Sequence, residues 1–189
     1  MIKIGILGAI GSGKSFVAER FGYPVFSADK EVAKLYREDK KIYKKLNKEL
    51  PKYFASFPID KTNVINAILE NKSNLKKIIK IVHKEIRKKM NLFIKKNKNK
   101  KIIILDIPLL LENNLNDKKN LLIFVQAKRN DILKRLKIRK NYNKKIFNKF
   151  SNIQLPLNYK KKKSDYIIIN NFKEKTVKNK IKIILNKIL

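Results

Sequence analysis

Apolar residues along the chain form two kinds of pattern: short uninterrupted runs, and longer segments in which they recur every three or four positions. The runs predict five buried strands, over residues 2–7, 23–27, 102–106, 121–125 and 165–169. Because segments with helical spacing separate these strands, the pattern predicts an α/β fold with a five-stranded parallel sheet and helices on both faces.

The helical pattern is clearest over residues 73–96, where apolar residues repeat on one face and Ser73 is a candidate N-cap. Residues 39–71 are helical in pattern but are broken at Pro51 and Pro58. Further helices are predicted over 14–21, 30–37, 131–139 and 177–188, with helical turns on either side of Pro156 within 140–163.

Lysine dominates the polar positions. The 189 residues include 48 Lys and Arg against 15 Asp and Glu, a formal charge of +33. Such a charge is compatible with a nucleic-acid binder, but lysine is spread over nearly every segment and no aromatic RNA-binding motif accompanies it. We therefore interpret the charge as a compositional bias and expect no specific nucleic-acid partner, although a positive surface attracts polyanionic small substrates.

Composition also excludes several classes of protein. The length fits one domain with an insertion, and 43% hydrophobic residues can fill a core. With no cysteine and one histidine, disulfide scaffolds and multi-histidine metal sites are excluded. No apolar stretch approaches the ~18 residues of a membrane span, and the first residues lack a signal-peptide pattern. A cytoplasmic protein is expected.

Residues 8–15, GAIGSGKS, match the phosphate-binding loop G-x-x-x-x-G-K-[ST] at every fixed position. Glycines let backbone N–H groups of such a loop converge on phosphate oxygens, and the helix that follows adds its positive end. Lys14 would reach the β- and γ-phosphates, and the Ser15 hydroxyl would hold Mg²⁺. The loop predicts a nucleoside triphosphate ligand and leaves GTPase, ATPase and kinase open.

Two carboxylates follow predicted strands. Asp29 lies after the strand over 23–27, where it could accept the proton of an attacking hydroxyl or simply serve as the N-cap of the next helix. Asp106 ends the run IIILD. In phosphate-loop proteins, an acidic residue at the end of a strand orders a Mg²⁺-bound water, and Asp106 could have this role. Alternatively, Asp106 is a turn residue ahead of Pro108.

Two basic pairs have helical spacing. His83 and Arg87 are four residues apart, as are Arg135 and Arg139 just before the polar stretch over 140–149. A mobile lid could present Arg135 and Arg139 to a transferring phosphate. On spacing alone, both pairs are more typical of a charged helix surface.

Taken in order, the motifs resemble those of the dephospho-coenzyme A kinase family across nearly the whole chain. The DIPLL segment and the late QLPL and DYIIIN segments are more specific than the phosphate loop itself. The matching segments are GILGAIGSGKS at 5–15, SAD at 27–29, HKEIR at 83–87, LDIPLLLE at 105–112, RLKIR at 135–139, QLPL at 154–157 and SDYIIIN at 164–170.

The resemblance implies transfer of phosphate from ATP to the ribose 3′-hydroxyl of dephospho-coenzyme A, with Mg²⁺ as cofactor. It implies a phosphate-loop core (1–29, 100–138 and 164–189), a helical substrate-binding insertion (about 30–95) and a lid (about 139–163). Lys14, Asp29 and Arg139 are the expected catalytic residues, with Asp29 as general base. ATP binding is expected of Arg139 and of loop residues Gly8, Gly11, Ser12, Gly13, Lys14, Ser15 and Phe16. Acceptor binding is expected of Asp29, His83, Arg87 and Asp106, and magnesium binding of Ser15 and Asp106, through water for Asp106.

The chain departs from the family pattern at six positions. Leu7 and Phe16 stand where threonine is usual, Ala9 replaces a glycine and Ser27 replaces an aspartate. The others are Lys84, which replaces a proline, and Phe150, which replaces a lid arginine. We expect these changes to affect nucleotide affinity and lid contacts more than the class of reaction.

Two other classes compete with this interpretation. Another small-molecule kinase, acting on nucleoside monophosphates or shikimate, would need an arginine-rich acceptor site early in the chain, yet residues 30–70 contain only Arg37. A nucleic-acid-binding NTPase is favoured by the net charge alone. Oligomeric state is not predicted by the sequence.

Overall fold

The computed structural model describes residues 1–113, 115, 119–139 and 142–189; residues 140 and 141 of the expected lid lie outside this set. The described residues form five strands: β1 (Ile2–Gly8), β2 (Val25–Ser27), β3 (Ile102–Asp106), β4 (Leu121–Gln126) and β5 (Tyr166–Ile169). The helices are α1 (Lys14–Glu19), α2 (Ala28–Glu38), α3 (Lys40–Glu49), α4 (Lys61–Glu70), α5 (Lys72–Lys96), α6 (Arg129–Ile138), α7 (Lys144–Asn152), α8 (Leu157–Lys162) and α9 (Glu174–Ile188).

The five strands form one sheet in the order β2-β3-β1-β4-β5, and every neighbouring pair is parallel. The predicted parallel sheet is therefore confirmed. Since β1 is central, the residues that follow it emerge between β3 and β4 at the carboxyl edge of the sheet. This is the position at which open parallel sheets bind ligands.

Helices α1 and α9 cover one face of the sheet. Alternate residues of β1, Ile4 and Ile6, pack there with Val17 and Ala18 of α1 and with α9. On the other side of β1, Leu110 and Leu122 approach Gly5 so closely that a Cβ there would lie 2.6 Å and 2.9 Å from their methyl groups. Helix α8 also packs on β1.

The chain divides into two compact units. One comprises Met1–Ser27 with Asn97–Leu189 and contains the sheet; the other, Ala28–Lys96, contains helices α2 to α5. In the helical unit, α2, α3 and α4 each pack on α5, and Leu35, Ile42, Leu46 and Ile86 are among its buried residues. Asp39 and Asp60 cap α3 and α4 by accepting hydrogen bonds from backbone N–H groups of the first turn.

Several element boundaries differ from those predicted. Strand β2 begins at Val25 rather than Tyr23, because Pro24 has no N–H to donate to a neighbouring strand. The N-cap prediction for Ser73 is wrong: α5 begins at Lys72, and the Asn71 side chain accepts the Ser73 N–H at 2.8 Å. No helix among the described residues has an apolar stretch long enough to cross a membrane.

Candidate active site

The loop over 8–13 connects the end of β1 to the start of α1. Gly8, Gly11 and Gly13 all have positive φ angles, of 145°, 82° and 88°. Residues with a Cβ rarely adopt this backbone, so the glycines allow the loop to reverse between strand and helix. A hydrogen bond of 3.1 Å from Ser12 N–H to Ala9 O closes the turn.

Lys14 lies against this loop. Its Nζ donates to the carbonyl oxygens of Gly8 at 3.2 Å and Ala9 at 2.8 Å. Ser12 is fully buried, and its Oγ finds no hydrogen-bond partner among the described residues. A buried hydroxyl in this position is suited to an acceptor supplied by a ligand, such as a phosphate oxygen.

Ser15 and Phe16 follow in the first turn of α1. Ser15 is exposed, whereas Phe16 packs against the core and carries the Arg20 guanidinium 3.5 Å from its ring centroid. The Phe16 side chain is thus used for packing and a cation–π contact. The group of Phe16 that can donate a hydrogen bond to a phosphate is its backbone N–H.

Asp106 ends β3 at the same edge of the sheet. Strand pairing places it opposite Ser27 of β2, while the preceding residue, Leu105, pairs with Gly5 of β1. Asp106 is 4% exposed. The structure therefore brings the phosphate loop and one buried carboxylate together at the carboxyl ends of three adjacent strands.

Residues 107–112, which follow Asp106, contact residues 155–160, which precede β5. Glu112 pairs with Lys160 of α8 at 2.5 Å, and the two side chains are 9% and 3% exposed. The same Glu112 oxygen accepts the Leu155 N–H at 2.9 Å. Leu109, in this segment, has a left-handed backbone with φ 61°. An uncommon conformation of this kind is often found at functional sites.

The two arginines of the RLKIR segment lie in different settings. Arg135, on α6, is stacked over the Phe172 ring at 4.3 Å from the centroid. Arg139 is the C-cap of α6 and is exposed. Phe172 in turn lies near the phosphate loop, since a Cβ on Gly13 would be 3.1 Å from its ring. Arg135 is thereby placed beside the loop, whereas Arg139 starts the segment expected to form the lid.

The other predicted site residues belong to the helical unit. Asp29 is exposed in the first turn of α2, and since that helix begins at Ala28, its interpretation as an N-cap is wrong. His83 is half-buried and Arg87 exposed, and both lie on α5 with the predicted spacing. Lys84 also lies within α5, which is continuous at this point.

Three residues that sequence reasoning did not select make contacts at the site. They are Glu112, Lys160 and Asn170; Glu112 lies in the LDIPLLLE segment and Asn170 in the SDYIIIN segment, whereas Lys160 lies between the QLPL and SDYIIIN segments. Asn170 donates from Nδ2 to the Ser12 carbonyl oxygen at 2.8 Å. Its partner is 158 positions away in the sequence, so neither periodicity nor spacing could have paired them.

A parallel sheet of this strand order, whose central strand enters a helix through a G-x-x-x-x-G-K-S loop, defines a phosphate-loop nucleotide-binding protein. The sequence profile of the dephospho-CoA kinase family matches residues 2–176. The chain belongs to that family.

Several known proteins are similar to this chain over nearly its whole length. A dephospho-CoA kinase of Wolbachia sp. subsp. Brugia malayi is 36% identical over 188 residues, covering 97% of this chain and 96% of that protein. A crystal structure of a Thermus thermophilus protein is 25% identical and superposes with a TM-score of 0.77, covering 100% and 98% of the two chains. A Bacteroides thetaiotaomicron shikimate kinase, 10% identical with a TM-score of 0.51 and coverage of 98% and 97%, shares only the fold.

Proposed function

We propose that this protein transfers the γ-phosphoryl group of ATP to the ribose 3′-hydroxyl of dephospho-coenzyme A, giving coenzyme A and ADP, the last step of coenzyme A synthesis. The observation that carries the proposal is the phosphate loop beside the buried Asp106 carboxylate in a chain of this family. The helical unit, residues 28–96, is our candidate for acceptor binding, and residues 139–163 for the lid.

Phosphate binding is assigned to the loop. Backbone N–H groups of Gly11, Gly13 and the residues that follow would surround the phosphates, with Ser12 Oγ as a further donor. Lys14 Nζ would exchange its carbonyl partners, Gly8 and Ala9, for phosphate oxygens. Those oxygens carry full negative charge, so the exchange is electrostatically favourable.

Magnesium fits the donors at this edge of the sheet. Mg²⁺ is commonly held by one or two protein oxygens together with phosphate oxygens of the nucleotide. The Ser15 hydroxyl, and the Asp106 carboxylate through a water molecule, would be oxygen donors of this kind. A bound Mg²⁺ would neutralise charge on the transferring phosphoryl group.

Asp29 is our candidate general base. It follows β2 by two residues in the chain and is exposed, so its carboxylate is accessible to an acceptor. In the reaction, the acceptor 3′-oxygen forms a bond to the γ-phosphorus as the bond to the β-phosphate oxygen breaks, and Asp29 takes the hydroxyl proton. ADP leaves with the bonding electrons. Lys14 and Arg139 would stabilise the negative charge of the transition state.

Recognition of the acceptor is assigned to His83 and Arg87. They lie one helical turn apart on α5, on one face of that helix. An imidazole and a guanidinium on one face are suited to an anionic acceptor such as a nucleotide phosphate. Their role rests on the family motif and on this shared face.

A transfer assay with a panel of acceptors tests the proposal. With γ-labelled ATP and Mg²⁺, the label should move to dephospho-coenzyme A and not to shikimate or AMP. Transfer to shikimate or AMP at a comparable rate would instead indicate a different small-molecule kinase with the same fold.

A further inference from the structure

Asn170 connects the sheet to the phosphate loop. It follows β5 directly, and its backbone N–H donates to Gln126 O, at the end of β4, at 2.7 Å. Its side chain bridges two further groups: Nδ2 donates to Ser12 O at 2.8 Å, and Oδ1 accepts the Phe172 N–H at 2.9 Å. The residue is 1% exposed. Because both ends of the amide are used, its orientation is fixed.

The bond to Ser12 also fixes the next N–H group. The Ser12 carbonyl and the Gly13 N–H belong to one planar trans peptide, in which the C=O and N–H bonds point in opposite directions. When Asn170 holds the carbonyl oxygen towards itself, the Gly13 N–H must point away from Asn170. A rotation of this peptide would turn the donor away and present a carbonyl oxygen in its place.

The contact between Asn170 and the loop requires that residue 13 has no side chain. A Cβ at position 13 would lie 2.2 Å from Asn170 Nδ2, and the φ of 88° is unfavourable for any residue with a side chain. The asparagine thus reaches the loop only because residue 13 is glycine. Phe172, whose N–H holds the other end of the amide, has a left-handed backbone with φ 62°.

We propose that Asn170 is a positioning residue for nucleotide binding: it holds the Ser12–Gly13 peptide so that the Gly13 N–H donates to a phosphate oxygen of the bound nucleotide. The inference rests on the proposed function in one respect, that the ligand in the loop is a nucleoside triphosphate. It does not depend on which acceptor receives the phosphate.

Two substitutions test the role of this side chain. Asn170→Asp keeps the shape and can still accept the Phe172 N–H, but its second oxygen faces the Ser12 carbonyl oxygen and cannot donate when ionised. Asn170→Ala removes the bridge without adding charge. The matched control is Asn171→Asp, which adds the same charge one residue along. Asn171 is exposed, and its side chain accepts the Lys173 N–H at 3.1 Å, which aspartate can also do.

The measurement is the dissociation constant for ATP, with that for adenosine beside it. Both Asn170 variants should weaken ATP binding by about 10- to 100-fold, the size of a lost hydrogen bond to a charged group. Asn171→Asp should stay within about two-fold of the wild type. Adenosine carries no phosphate, so its affinity should be unchanged by Asn170→Ala, whereas general loosening of the site would weaken both ligands.

Wild-type affinity for ATP in folded Asn170→Ala would overturn the inference, as would equal losses for ATP and adenosine. If Asn170→Asp fails to fold, Asn170→Ala decides the question, and ATP binding measured on its folded fraction separates affinity from stability. A wild-type protein that binds ATP but makes no coenzyme A would contradict the proposed function and leave this inference intact.

Discussion

The first turn of α2 carries two carboxylates, Asp29 and Glu31. Glu31 is paired with Lys89 of α5 at 3.6 Å, and Asp29 is exposed and lies two residues after the end of β2. Negative charge at this end of a helix is favourable at both positions through the helix dipole. Variants at both positions lose this contribution, so a difference in turnover between them reports on chemistry.

We expect Asp29→Asn to lower turnover by about 10²- to 10⁴-fold, the usual contribution of an acid–base group. Affinity for ATP should be unchanged, because the loop and Lys14 hold the nucleotide. Single-turnover kinetics beside ATP binding separate the two effects. Glu31→Gln is the control and should keep near-normal turnover. If Asp29→Asn also turns over normally, Asp106 becomes the candidate base.

At the residue scale, the sequence predicted the loop because its function depends on local order. The positive φ angles of the loop glycines and the carbonyl partners of Lys14 arise within residues 8–14. Glu112 and Asn170 depend instead on partners 43 and 158 positions away. Such contacts exist only once the sheet has formed, so a single sequence contains no local signal for them.

At the scale of elements, the buried Glu112–Lys160 pair joins the segment after β3 to α8. Neither side chain is more than 9% exposed, so removing one partner leaves a buried charge uncompensated. Glu112 also accepts a hydrogen bond from the backbone N–H of Leu155, the residue that follows Gln154. The pair therefore anchors the end of the expected lid to the segment that carries Asp106.

Removing one member of this pair should destabilise the protein strongly. Lys160→Met or Glu112→Leu alone is expected to lower the free energy of unfolding by about 3–5 kcal/mol, and the double variant by less, since it leaves no unpaired charge. Urea unfolding measures the effect. Glu70→Gln, which breaks the exposed ion pair with Lys52, is the control and should change stability little. Single variants as stable as the wild type would show that the pair contributes nothing.

The prediction of elements succeeded where the apolar pattern was continuous. The run over 102–106 matches β3, because a strand buried on both faces is apolar at nearly every position. The ends of elements were less predictable. Asn71 rather than Ser73 caps the start of α5, since two polar residues of similar cap propensity stand two positions apart.

The whole molecule carries a formal charge of +33, and its lysines are distributed over both compact units. Dispersed positive charge attracts any polyanion and does not distinguish one nucleotide sequence from another. We therefore expect RNA and DNA oligonucleotides of unrelated sequence to bind equally, and binding to fall steeply between about 50 and 200 mM salt. Fluorescence anisotropy over a salt series measures this. One RNA sequence bound in a salt-resistant complex would contradict the expectation.

We infer that this chain phosphorylates dephospho-coenzyme A. To test this activity, purified protein is incubated with ATP, Mg²⁺ and dephospho-coenzyme A, and the products are identified by mass and ³¹P NMR. We predict coenzyme A, with the new phosphate on the 3′-oxygen, and ADP in equal amount. Lys14→Ala should give no product, because positioning and electrostatics carry most of phosphoryl-transfer catalysis. Unchanged dephospho-coenzyme A with a wild-type protein that binds ATP would contradict the claim.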